Sequence, residues 1–555
     1  MKFLSYSLLV LLALYGLIFA IGDVALIHSA APLWSGILFA VGMVTLQYLL
    51  APFILRRILN IDWEPQAMPA VQRQFLEDMC RERGLKLPRL GVIYSGTPNA
   101  FAFGRTRGDA SIVVTDGLLQ MLTPDEANAV LAHELGHVEH NDFIVMTLAA
   151  AAPMVLYQIY VWTRRVENLR AVAWCAYAAY WVGQFLVLQL NRLREYYADH
   201  YSACVTKAPS QLASALVKIA YGMVKVEGEF QQSQKKGYSG DKSYAKAQRH
   251  MGRTLALMGI SSAHPGGAFG LIQANPQQAA MVMEWDLTSP WARFYELNST
   301  HPLTALRIRA LNRYAEANHL AVEYPSANQG RIRWGGFPIE LFFWAAPVAL
   351  GILAFWGSAR TTLFQWLHLS QPRYLLGLLL IGSGTTWMGR IAFRYRGTFT
   401  DRKIGELLSD LEVNEMRPRA IRVQGEIVGR GIPGSFWSPD LVVRDETGFL
   451  FMLNRQSIPF ARLIFGLKDA DQLIGEQVTI EGWYRRGLSP YMEMATIRGE
   501  VTPAAAGDGS LFGEAAIAAS AKRIPYVRRS YSRWIQLLLA ALVTVIGVLG
   551  LFAQL

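Results

Sequence analysis

Long apolar runs without a charged residue dominate the hydropathy pattern of this chain. Five of them match the ~20 helical residues that cross the hydrocarbon core of a bilayer: residues 3–21, 34–55, 143–162, 171–190 and 534–555. Two shorter runs, 341–356 and 374–389, have Trp or Tyr at an end, as expected of interfacial anchors. The pattern predicts about seven transmembrane helices, and therefore an α-helical integral membrane protein in contact with a lipid bilayer.

The first run occupies the position of a secretory signal peptide. Only Lys2 precedes it, and no small-x-small cleavage pattern leads from it into a polar stretch. A second apolar run follows after a short link. We therefore predict a retained transmembrane hairpin over residues 1–56, with a cleaved signal peptide as the alternative.

The distribution of Lys and Arg around the runs predicts their orientation. Positive residues follow the second run, follow the sixth and precede the last, at Arg56, Arg57, Arg390, Arg394, Arg396, Arg402, Lys403, Lys522, Arg523, Arg528, Arg529 and Arg533. By the positive-inside rule these segments face the cytoplasm. The link between the third and fourth runs disagrees, because Arg164, Arg165 and Arg170 outnumber Glu167. Either the hairpin over residues 143–190 inserts only in part, or the helix that leads into it overrides the charge of its flanks.

The net charge of +11 follows largely from these membrane flanks. The basic balance of the chain therefore does not argue for a nucleic-acid partner, and none is expected. Cys80, Cys175 and Cys204 are few and far apart in the sequence. Neither a disulfide framework nor a cysteine-based zinc site is indicated by them.

Residues 57–142 and 191–330 are the polar halves of one mainly helical α+β domain, interrupted by the hairpin at 143–190. In the first half the patterns predict a helix and three short strands, at 71–83, 91–94, 99–103 and 111–114. In the second half, residues 227–253 form a polar stretch rich in Gly and Lys. This stretch is either a mobile loop over a functional site or a plain solvated linker.

After the hairpin of residues 338–393 the periodicity changes from helical to strand-like. Gly and Asp turns separate five alternating stretches: residues 419–428, 440–445, 449–453, 478–484 and 491–498. Five short strands predict a small, closed, all-β and OB-like barrel over residues 415–500. The Ala- and Gly-rich residues 503–521 are expected to link it to the last span, residues 534–555.

The segment His133-Glu134-Leu135-Gly136-His137 carries the main candidate chemistry. Two imidazoles four residues apart project from one face of a helix, and this spacing lets both bind one Zn²⁺. Glu134 points to the same side and can act as a general base toward water. The alternative is a surface helix with two solvated histidines.

Local signals place this segment inside a helix. Thr123 fits the N-cap, Pro124 the first helical position and Glu126 the third, where its side chain closes a capping box. We expect this helix to continue directly into the third apolar run. The segment would then end close to the membrane surface.

A catalytic zinc site needs a third protein ligand. A metzincin has a third His six residues after the second, but here Phe143 stands there and His140 stands midway, where Gly is required. Glu195 is the best candidate, because it lies at the cytoplasmic end of the fourth run and antiparallel packing of the hairpin brings it toward His137. Asp199, one turn later, could accept the N–H of a ligating imidazole.

Two alternatives concern the neighbours of these ligands. Glu195 could be an interfacial carboxylate that pairs with Arg194 or Arg192 instead of a metal. His140 is expected to be a partner of Asp142 or of solvent rather than a ligand. Neither alternative is settled by residue spacing alone.

Four motifs occur in an order that resembles a known family. They are the strand PNAFAFG at 98–104, the HELGH helix, EYYAD at 195–199, and STHP at 299–302 with Arg307. Together they are similar to the HtpX-type membrane zinc metallopeptidases, relatives of the type I CAAX prenyl proteases. The resemblance covers roughly residues 1–315, so that the barrel and the last span lie outside it.

The resemblance implies a zincin-like catalytic domain that binds one Zn²⁺ per chain. It implies that Glu195 is the third ligand and that Asp199 supports the ligands. It also implies that His301 and Arg307 line the site and steady the tetrahedral intermediate. A second His-Pro pair, at His264, lacks the arginine that follows His301 by six residues, and we treat it as part of a loop.

The expected activity is hydrolysis of peptide bonds, with Glu134 as the general base. Asn99, Ala100 and Phe101 are expected to offer a strand edge to which an extended polypeptide adds. The resemblance implies membrane or misfolded proteins as substrates, in quality control at a bacterial-type cytoplasmic membrane. Processing of prenylated CAAX proteins is the alternative activity, and the sequence does not predict the oligomeric state.

Two interpretations from other functional classes remain. The chain could be a membrane scaffold without catalysis that acts through its barrel, although no ligand of the predicted site is missing. The barrel could also bind oligonucleotides, with bases stacked on Phe449, Phe451, Tyr484 and Tyr491. Aromatic residues on strands more often belong to the core.

Overall fold

The computed structural model describes residues 33–64, 66–94, 98–164, 166–221, 276–325, 330–359, 372–430, 439–455, 465–466, 470–487, 490–501 and 524–552. Four predictions concern residues outside this description, namely the first span, the polar stretch 227–253, His264 and the linker 503–521. The described residues form two compact units. The first unit contains the described residues up to Gly330, except residues 288–292. The second unit contains residues 288–292 and the described residues from Arg331 onward.

The first unit is mainly helical and contains one small sheet. In chain order, the described elements up to residue 317 are α1 (Leu33–Ile58), α2 (Ala70–Glu82), β1 (Arg89–Ile93), β2 (Ala100–Phe103), β3 (Ser111–Thr115), α3 (Asp116–Met121), α4 (Pro124–Glu139), α5 (Asp142–Thr163), α6 (Arg170–Thr206), α7 (Pro209–Tyr221), α8 (Pro276–Thr288), α9 (Pro290–Leu297) and α10 (Thr304–Ala317). The central strand β3 pairs with β1 in parallel and with β2 in antiparallel orientation. Strand β2 is thus an edge of this three-stranded sheet.

Helix α4 begins as the sequence predicts. Thr123 Oγ1 accepts the N–H of Glu126, and the Glu126 carboxylate accepts the N–H of Thr123 at 2.8 Å, which confirms the capping box. Nearly every residue from Ala127 to Val138 is buried. Because the helix is covered on all sides, its two histidines are buried groups and not solvated ones.

The expectation that α4 continues into the third apolar run is wrong. Helix α4 ends at Glu139, and Asn141 has a φ of 56° in the left-handed region. Asn adopts this conformation more readily than most residues with a side chain, so it can separate two helices without a glycine. Helix α5 then starts afresh at Asp142.

Helix α6 is longer than the apolar run that predicts it. It has 37 residues, or about 55 Å at 1.5 Å per residue, and continues well past residue 190. Glu195 and Asp199 therefore lie on the same continuous helix as the fourth predicted span. Helices α5 and α6 pack side by side, with aromatic contacts such as that of Tyr160 with Tyr177 at 4.8 Å between ring centroids.

The second unit combines membrane-type helices with a barrel. Its further elements are α11 (Phe337–Ala359), α12 (Pro372–Arg394), β4 (Thr400–Asp401), α13 (Ile404–Leu408), β5 (Arg419–Arg430), β6 (Leu441–Arg444), β7 (Phe449–Leu453), α14 (Ala470–Leu473), β8 (Gln477–Arg486), β9 (Pro490–Val501), β10 (Ile524–Arg529) and α15 (Ser532–Phe552). Glycines let α12 and α15 approach closely. A side chain at Gly377 would collide with Leu551, and one at Gly384 with Thr544.

Six helices of the described chain are long and apolar enough to cross a membrane. They are α1, α5, α6, α11, α12 and α15, and each corresponds to one of the predicted apolar runs. Exposed Leu, Val, Phe and Trp side chains cover much of their surface, as expected where lipid replaces water. The chain is therefore an integral membrane protein.

Five strands of the second unit close into a barrel. Pairing runs from β5 to β6, β7, β9 and β8 and back to β5, and the β7–β9 pair is parallel while the others are antiparallel. The interior is apolar and includes Val423, Ile427 and Ile480. Two further strands, β4 and β10, add to β5 and β9 and are absent from the sequence prediction.

The aromatic residues considered for base stacking have other partners. Phe451 and Tyr484 are buried, Tyr484 completely. Phe449 lies against the guanidinium of Arg444, 6.0 Å from the ring centroid. Because Phe451 and Tyr484 are buried, the four residues do not form the row of exposed aromatic faces that single-stranded nucleic acid needs.

Candidate metal site

Helices α4 and α6 bring the three predicted ligands together. The Nε2 atoms of His133 and His137 are 3.2 Å apart. Glu195 Oε2 lies 3.6 Å from Nε2 of His133, and Glu195 Oε1 lies 3.5 Å from Nε2 of His137. All three residues are buried, and in the described part of the chain they are the group whose side chains could hold a metal ion.

Gly136, between the two histidines, allows this approach of the helices. A Cβ at this position would lie 3.1 Å from the ring of Tyr201 and 3.3 Å from Cα of Ala198, both on α6. The hydroxyl of Ser202 also donates to the carbonyl of Ala129 at 2.6 Å. A small residue at the crossing thus brings the α6 backbone, and with it the carboxylate one turn earlier, to the histidines.

A carboxylate fixes the second nitrogen of each imidazole. Asp199 Oδ1 lies 2.9 Å from Nδ1 of His133, and Asp142 Oδ2 lies 2.6 Å from Nδ1 of His137. An ionised carboxylate only accepts, so each Nδ1–H donates, and in the neutral ring, which is the form that binds a metal, each Nε2 carries the lone pair. Both lone pairs are therefore directed at the space beside Glu195.

Of the two partners expected for His140, namely Asp142 and solvent, the structure contradicts the first. Asp142 contacts His137, whereas the His140 ring packs edge-on against Tyr201 at 5.8 Å between centroids. The helix break at Asn141 is the reason, because it turns Asp142 back toward the preceding helix. His140 lies outside the group of possible ligands.

The donor set fits a divalent metal ion. Two imidazole lone pairs that face each other at 3.2 Å repel, so the space between them needs either a proton or a metal ion. Tetrahedral ligands at a Zn–N distance of about 2.0–2.1 Å are separated by about 3.3 Å, close to the spacing observed here. In addition, Glu195 Oε2 is buried without a hydrogen bond. Two nitrogens and an oxygen of this kind are typical zinc ligands.

Electrostatics at the site favour positive charge. Burial alone would lower the pKa of His133, but its hydrogen bond to Asp199 and its contact with Glu195 raise this pKa to about 9. Burial raises the pKa of Glu134 above the usual glutamate range, although the two neighbouring imidazoles oppose this. A glutamate with a raised pKa is a better proton acceptor and donor near neutral pH.

Arg307 of α10 lies behind the ligands. Its Nε and Nη2 donate to the two carboxylate oxygens of Asp199 at 2.8 and 2.6 Å, and its Nη1 is 3.4 Å from Glu195 Oε2. The side chain is only 2% exposed. Its charge therefore offsets two buried carboxylates, which would otherwise be costly to keep ionised.

His301 lies in the turn between α9 and α10. Its Nδ1 is 3.1 Å from Glu195 Oε2, without hydrogen-bond geometry, and its side chain is 12% exposed. Ser299 Oγ donates to the His301 carbonyl at 2.7 Å. The resemblance implies that His301 and Arg307 steady the tetrahedral intermediate, and His301 is the more exposed of the two.

The predicted substrate strand lies at the sheet edge formed by β2. The N–H of Asn99 donates to Thr115 Oγ1 at 2.8 Å, and Asn99 O accepts the Thr115 N–H at 2.9 Å. Asn99, Ala100 and Phe101 are all buried. Their side chains belong to the core, so an added strand would recognise β2 through the backbone.

Two basic residues near Glu195 have partners that the sequence did not indicate. Arg194 Nε lies 3.0 Å from Asp142 Oδ2 and so braces the carboxylate that orients His137. Arg192 contacts backbone carbonyls around residues 296–299. The alternative in which Glu195 pairs with one of these arginines is therefore wrong.

The role of Asp142 beside His137 was also missed by the sequence analysis. Its signal in the sequence was an aspartate five residues after the second histidine of the motif.

Comparison with known proteins agrees with the four motifs. Residues 65–315 match the model of peptidase family M48. A protease HtpX homolog of Methanothermobacter thermautotrophicus is 37% identical over 219 residues, which are 39% of this chain and 84% of that protein. One of Aeropyrum pernix is 38% identical over 196 residues, 33% of this chain and 61% of that protein.

A crystal structure of Ste24p from S. mikatae is similar over 55% of this chain and 64% of that one, with 16% identity and a TM-score of 0.33. The sequence relatives, and not this distant likeness, decide the family. The resemblance to HtpX-type metallopeptidases is thereby confirmed. The chain belongs to peptidase family M48 and is a metallopeptidase related to the HtpX proteases.

Proposed function

We propose that this chain is a zinc-dependent endopeptidase that cleaves membrane or misfolded proteins. The observation that carries this proposal is the convergence of His133, His137 and Glu195, whose nitrogen and oxygen atoms lie within 4.8 Å of one another. Two imidazoles and one carboxylate are the protein ligands of several catalytic zinc sites, which keep a further position for water or substrate. One Zn²⁺ per chain is the proposed cofactor.

The residues around the ligands have complementary roles in this proposal. Zinc, when bound here, would polarise the scissile carbonyl and acidify water. Glu134 takes a proton from the attacking water and returns it to the leaving amine, a task that suits its raised pKa. Asp199 and Asp142 keep both imidazoles oriented, and Arg307 balances the carboxylate charge.

We assign stabilisation of the oxyanion to His301. It is partly exposed beside Glu195, whereas Arg307 is enclosed and engaged by Asp199. A donor aimed at the developing oxyanion typically contributes about 10²–10³ in rate. Arg307 would then act on the ligands and not on the substrate.

The edge of β2 at Asn99, Ala100 and Phe101 is proposed to bind the substrate as an added strand. Support comes from its edge position and from the burial of its side chains. Strand addition uses backbone hydrogen bonds, so weak sequence selectivity is expected. This suits an enzyme that acts on many unfolded segments.

We place the active site on the cytoplasmic side of a bacterial-type inner membrane. The support is the concentration of Lys and Arg beside the membrane helices, for example at Arg56 and Arg57 at the end of α1. The link at 164–170 remains the one segment whose charge disagrees. Accessibility of single introduced cysteines to an impermeant reagent would test this orientation.

For the barrel we propose an OB-like topology and a role as a spacer or protein-binding module. Its strand order, with one parallel pair between β7 and β9, supports the topology. Surface charges pair with each other, as in Arg422 with Glu481 and Arg444 with Glu426. Such a balanced surface is unlike the basic track that single-stranded nucleic acid requires.

The experiment is a cleavage assay with the full-length protein in detergent micelles. Casein, an unfolded membrane protein and a farnesylated CAAX peptide serve as substrates, and products are mapped by mass. We expect cleavage of the first two, loss of activity with a chelator, and recovery with zinc. Preference for the farnesylated peptide would support the alternative prenyl-protease activity.

Glu134→Gln is the decisive variant, and Glu139→Gln is its matched control. Glu139 lies on the same helix, past the motif, where it pairs with Arg83 at 3.5 Å. Glu134→Gln should bind zinc but lose at least about 10³-fold in rate, while Glu139→Gln stays active. Equal activity of the Glu134 variant and the wild type would refute the assignment of the base.

A further inference from the structure

We propose that Arg192 is a positioning residue that fixes His301 against Glu195. The proposal rests on the proposed function, because it concerns the residue assigned there to the oxyanion. Arg192 lies on α6 one turn before Glu195 and is 6% exposed. Within the described chain it has no ion pair, which is unusual for a buried guanidinium.

The Arg192 guanidinium donates to backbone carbonyls instead of to a carboxylate. Arg192 Nη1 donates to the carbonyl of Ser299 at 3.0 Å, to that of Leu297 at 3.4 Å and, over a shorter distance, to that of Glu296. Its Nε and Nη2 donate to Gln189 Oε1 at 3.2 and 2.7 Å. The guanidinium thus joins its own helix to the end of α9 and to Ser299 just after it.

The end of α9 explains why this arrangement is stable. The last carbonyls of a helix have no partner within the helix, and they form the negative end of its dipole. Glu296 and Leu297 are the last two residues of α9. The Glu296 carbonyl also accepts the Ser299 N–H at 3.0 Å, so the cation matters most for the carbonyls of Leu297 and Ser299. Removal of the cation would leave the buried Ser299 carbonyl unpaired.

The same contacts define the path of the chain to His301. Ser299, whose carbonyl is held by Arg192, binds the His301 carbonyl through its hydroxyl. Asn191, next to Arg192, donates from Nδ2 to the Thr300 carbonyl at 2.8 Å. Two adjacent residues of α6 thus hold the turn that presents His301, and Glu195 is the next functional residue on that helix.

A double-mutant cycle distinguishes this role from a general effect on stability. Arg192→Lys keeps the charge, but one ammonium group cannot reproduce the planar fork that reaches Gln189 and the carbonyls. We measure kcat, KM, bound zinc and thermal unfolding for the wild type, Arg192→Lys, His301→Ala and the double variant. Arg293→Met is the control, since Arg293 lies on α9 but pairs with the Glu296 side chain at 3.0 Å.

We expect Arg192→Lys to lower kcat about 10- to 100-fold with KM and zinc content unchanged, as a misplaced group near the reaction centre does. In the His301→Ala background the same substitution should change kcat less than about twofold, because the two residues act as a unit. Arg293→Met should match the wild type. Equal losses in both backgrounds, or normal kcat in His301→Ala, would overturn the proposal.

Hydrogen exchange separates this proposal from the proposed function. In Arg192→Lys, the amides of residues 299–301 and 303 should exchange faster than in the wild type, whether or not the protein cleaves anything. If the wild type cleaves nothing and Arg192→Lys still shows the faster exchange, the proposed function is contradicted but the positioning by Arg192 is supported. Unchanged exchange at these amides would contradict the positioning itself.

Discussion

Two buried clusters of charged residues, one in each unit, differ in what they can bind. In the barrel unit, Tyr395 and Arg485 donate to Glu493 at 2.5 and 3.1 Å, and Arg394 lies 3.6 Å from the same carboxylate. Both oxygens of Glu493 are engaged by donors. Arginine and tyrosine here offer protons but no convergent lone pairs, so this cluster is suited to fixing structure.

The cluster around Glu195 is equally buried but has different chemistry. His133 and His137 use one nitrogen for a carboxylate and keep the other free to bind a cation. Burial and perturbed charge are thus common to both clusters, and only the meeting of lone pairs distinguishes a metal site. Substitutions in the barrel cluster should therefore affect stability, and substitutions in the metal cluster should affect zinc binding and cleavage.

The largest effect on stability is expected for Glu493→Gln. Removal of the carboxylate charge leaves Arg485 buried without an ionic partner and leaves Arg394 with only Glu415 at 3.5 Å, which costs about 3–5 kcal/mol. Limited proteolysis with mass mapping should show faster cleavage within residues 415–500, at unchanged zinc content. Glu426→Gln, in an exposed pair with Arg444, is the control and should cost below about 1 kcal/mol. Loss of zinc in Glu493→Gln would remove the distinction between the two clusters.

A smaller effect is expected for Asp142→Asn, on zinc affinity. The neutral side chain no longer favours the Nδ1–H tautomer of His137, and such changes next to a ligand typically weaken metal binding about 10–100-fold. Competition with a chromophoric chelator measures the affinity. An affinity equal to that of the wild type would mean that the His137–Asp142 contact does not orient the ligand.

The smallest effect is expected for Glu126→Gln at the start of α4. Burial alone would raise the pKa of Glu126, but hydrogen bonds from Lys218, Ser214 and the Thr123 N–H lower it below its usual value. The ionised group therefore adds stability above about pH 4.3, which is lost as the pH falls through the lowered pKa. Glu126→Gln should cost about 1–2 kcal/mol at pH 7.

The pH dependence provides the check on Glu126. In chemical unfolding the difference between wild type and Glu126→Gln should stay constant above about pH 5 and shrink below about pH 4. A difference that grows toward acid pH would contradict the stabilising role of the carboxylate. Zinc content and cleavage at pH 7 should be unaffected, since Lys218 and Ser214 lie on α7, away from the ligands in sequence.

Features encoded within a few residues were predictable from the sequence. The capping box of Thr123 and Glu126 and the positions of the apolar helices depend on local patterns, and the structure has them close to the predicted positions, although α6 continues to Thr206. The break at Asn141 is also local, and an Asn followed by an acidic residue was its signal. The prediction of a continuous helix used only the apolar run that follows.

Contacts between distant residues could not be predicted in the same way. Arg192 reaches carbonyls more than a hundred residues later in the chain, and backbone acceptors carry no sequence signature. Strand β10 pairs with β9 across residues that read as a linker. The position of the proposed ligand Glu195 was predictable because one hairpin constrains where α6 meets α4.

X-ray absorption at the zinc edge of the purified full-length protein tests the central claim most directly. We predict one zinc per chain with two imidazoles and oxygen at about 2.0–2.1 Å and no sulfur. The variant Glu195→Gln should lose the metal and all cleavage. Sulfur ligation, or a zinc signal and activity that persist in Glu195→Gln, would contradict the assignment of His133, His137 and Glu195 as the metal site.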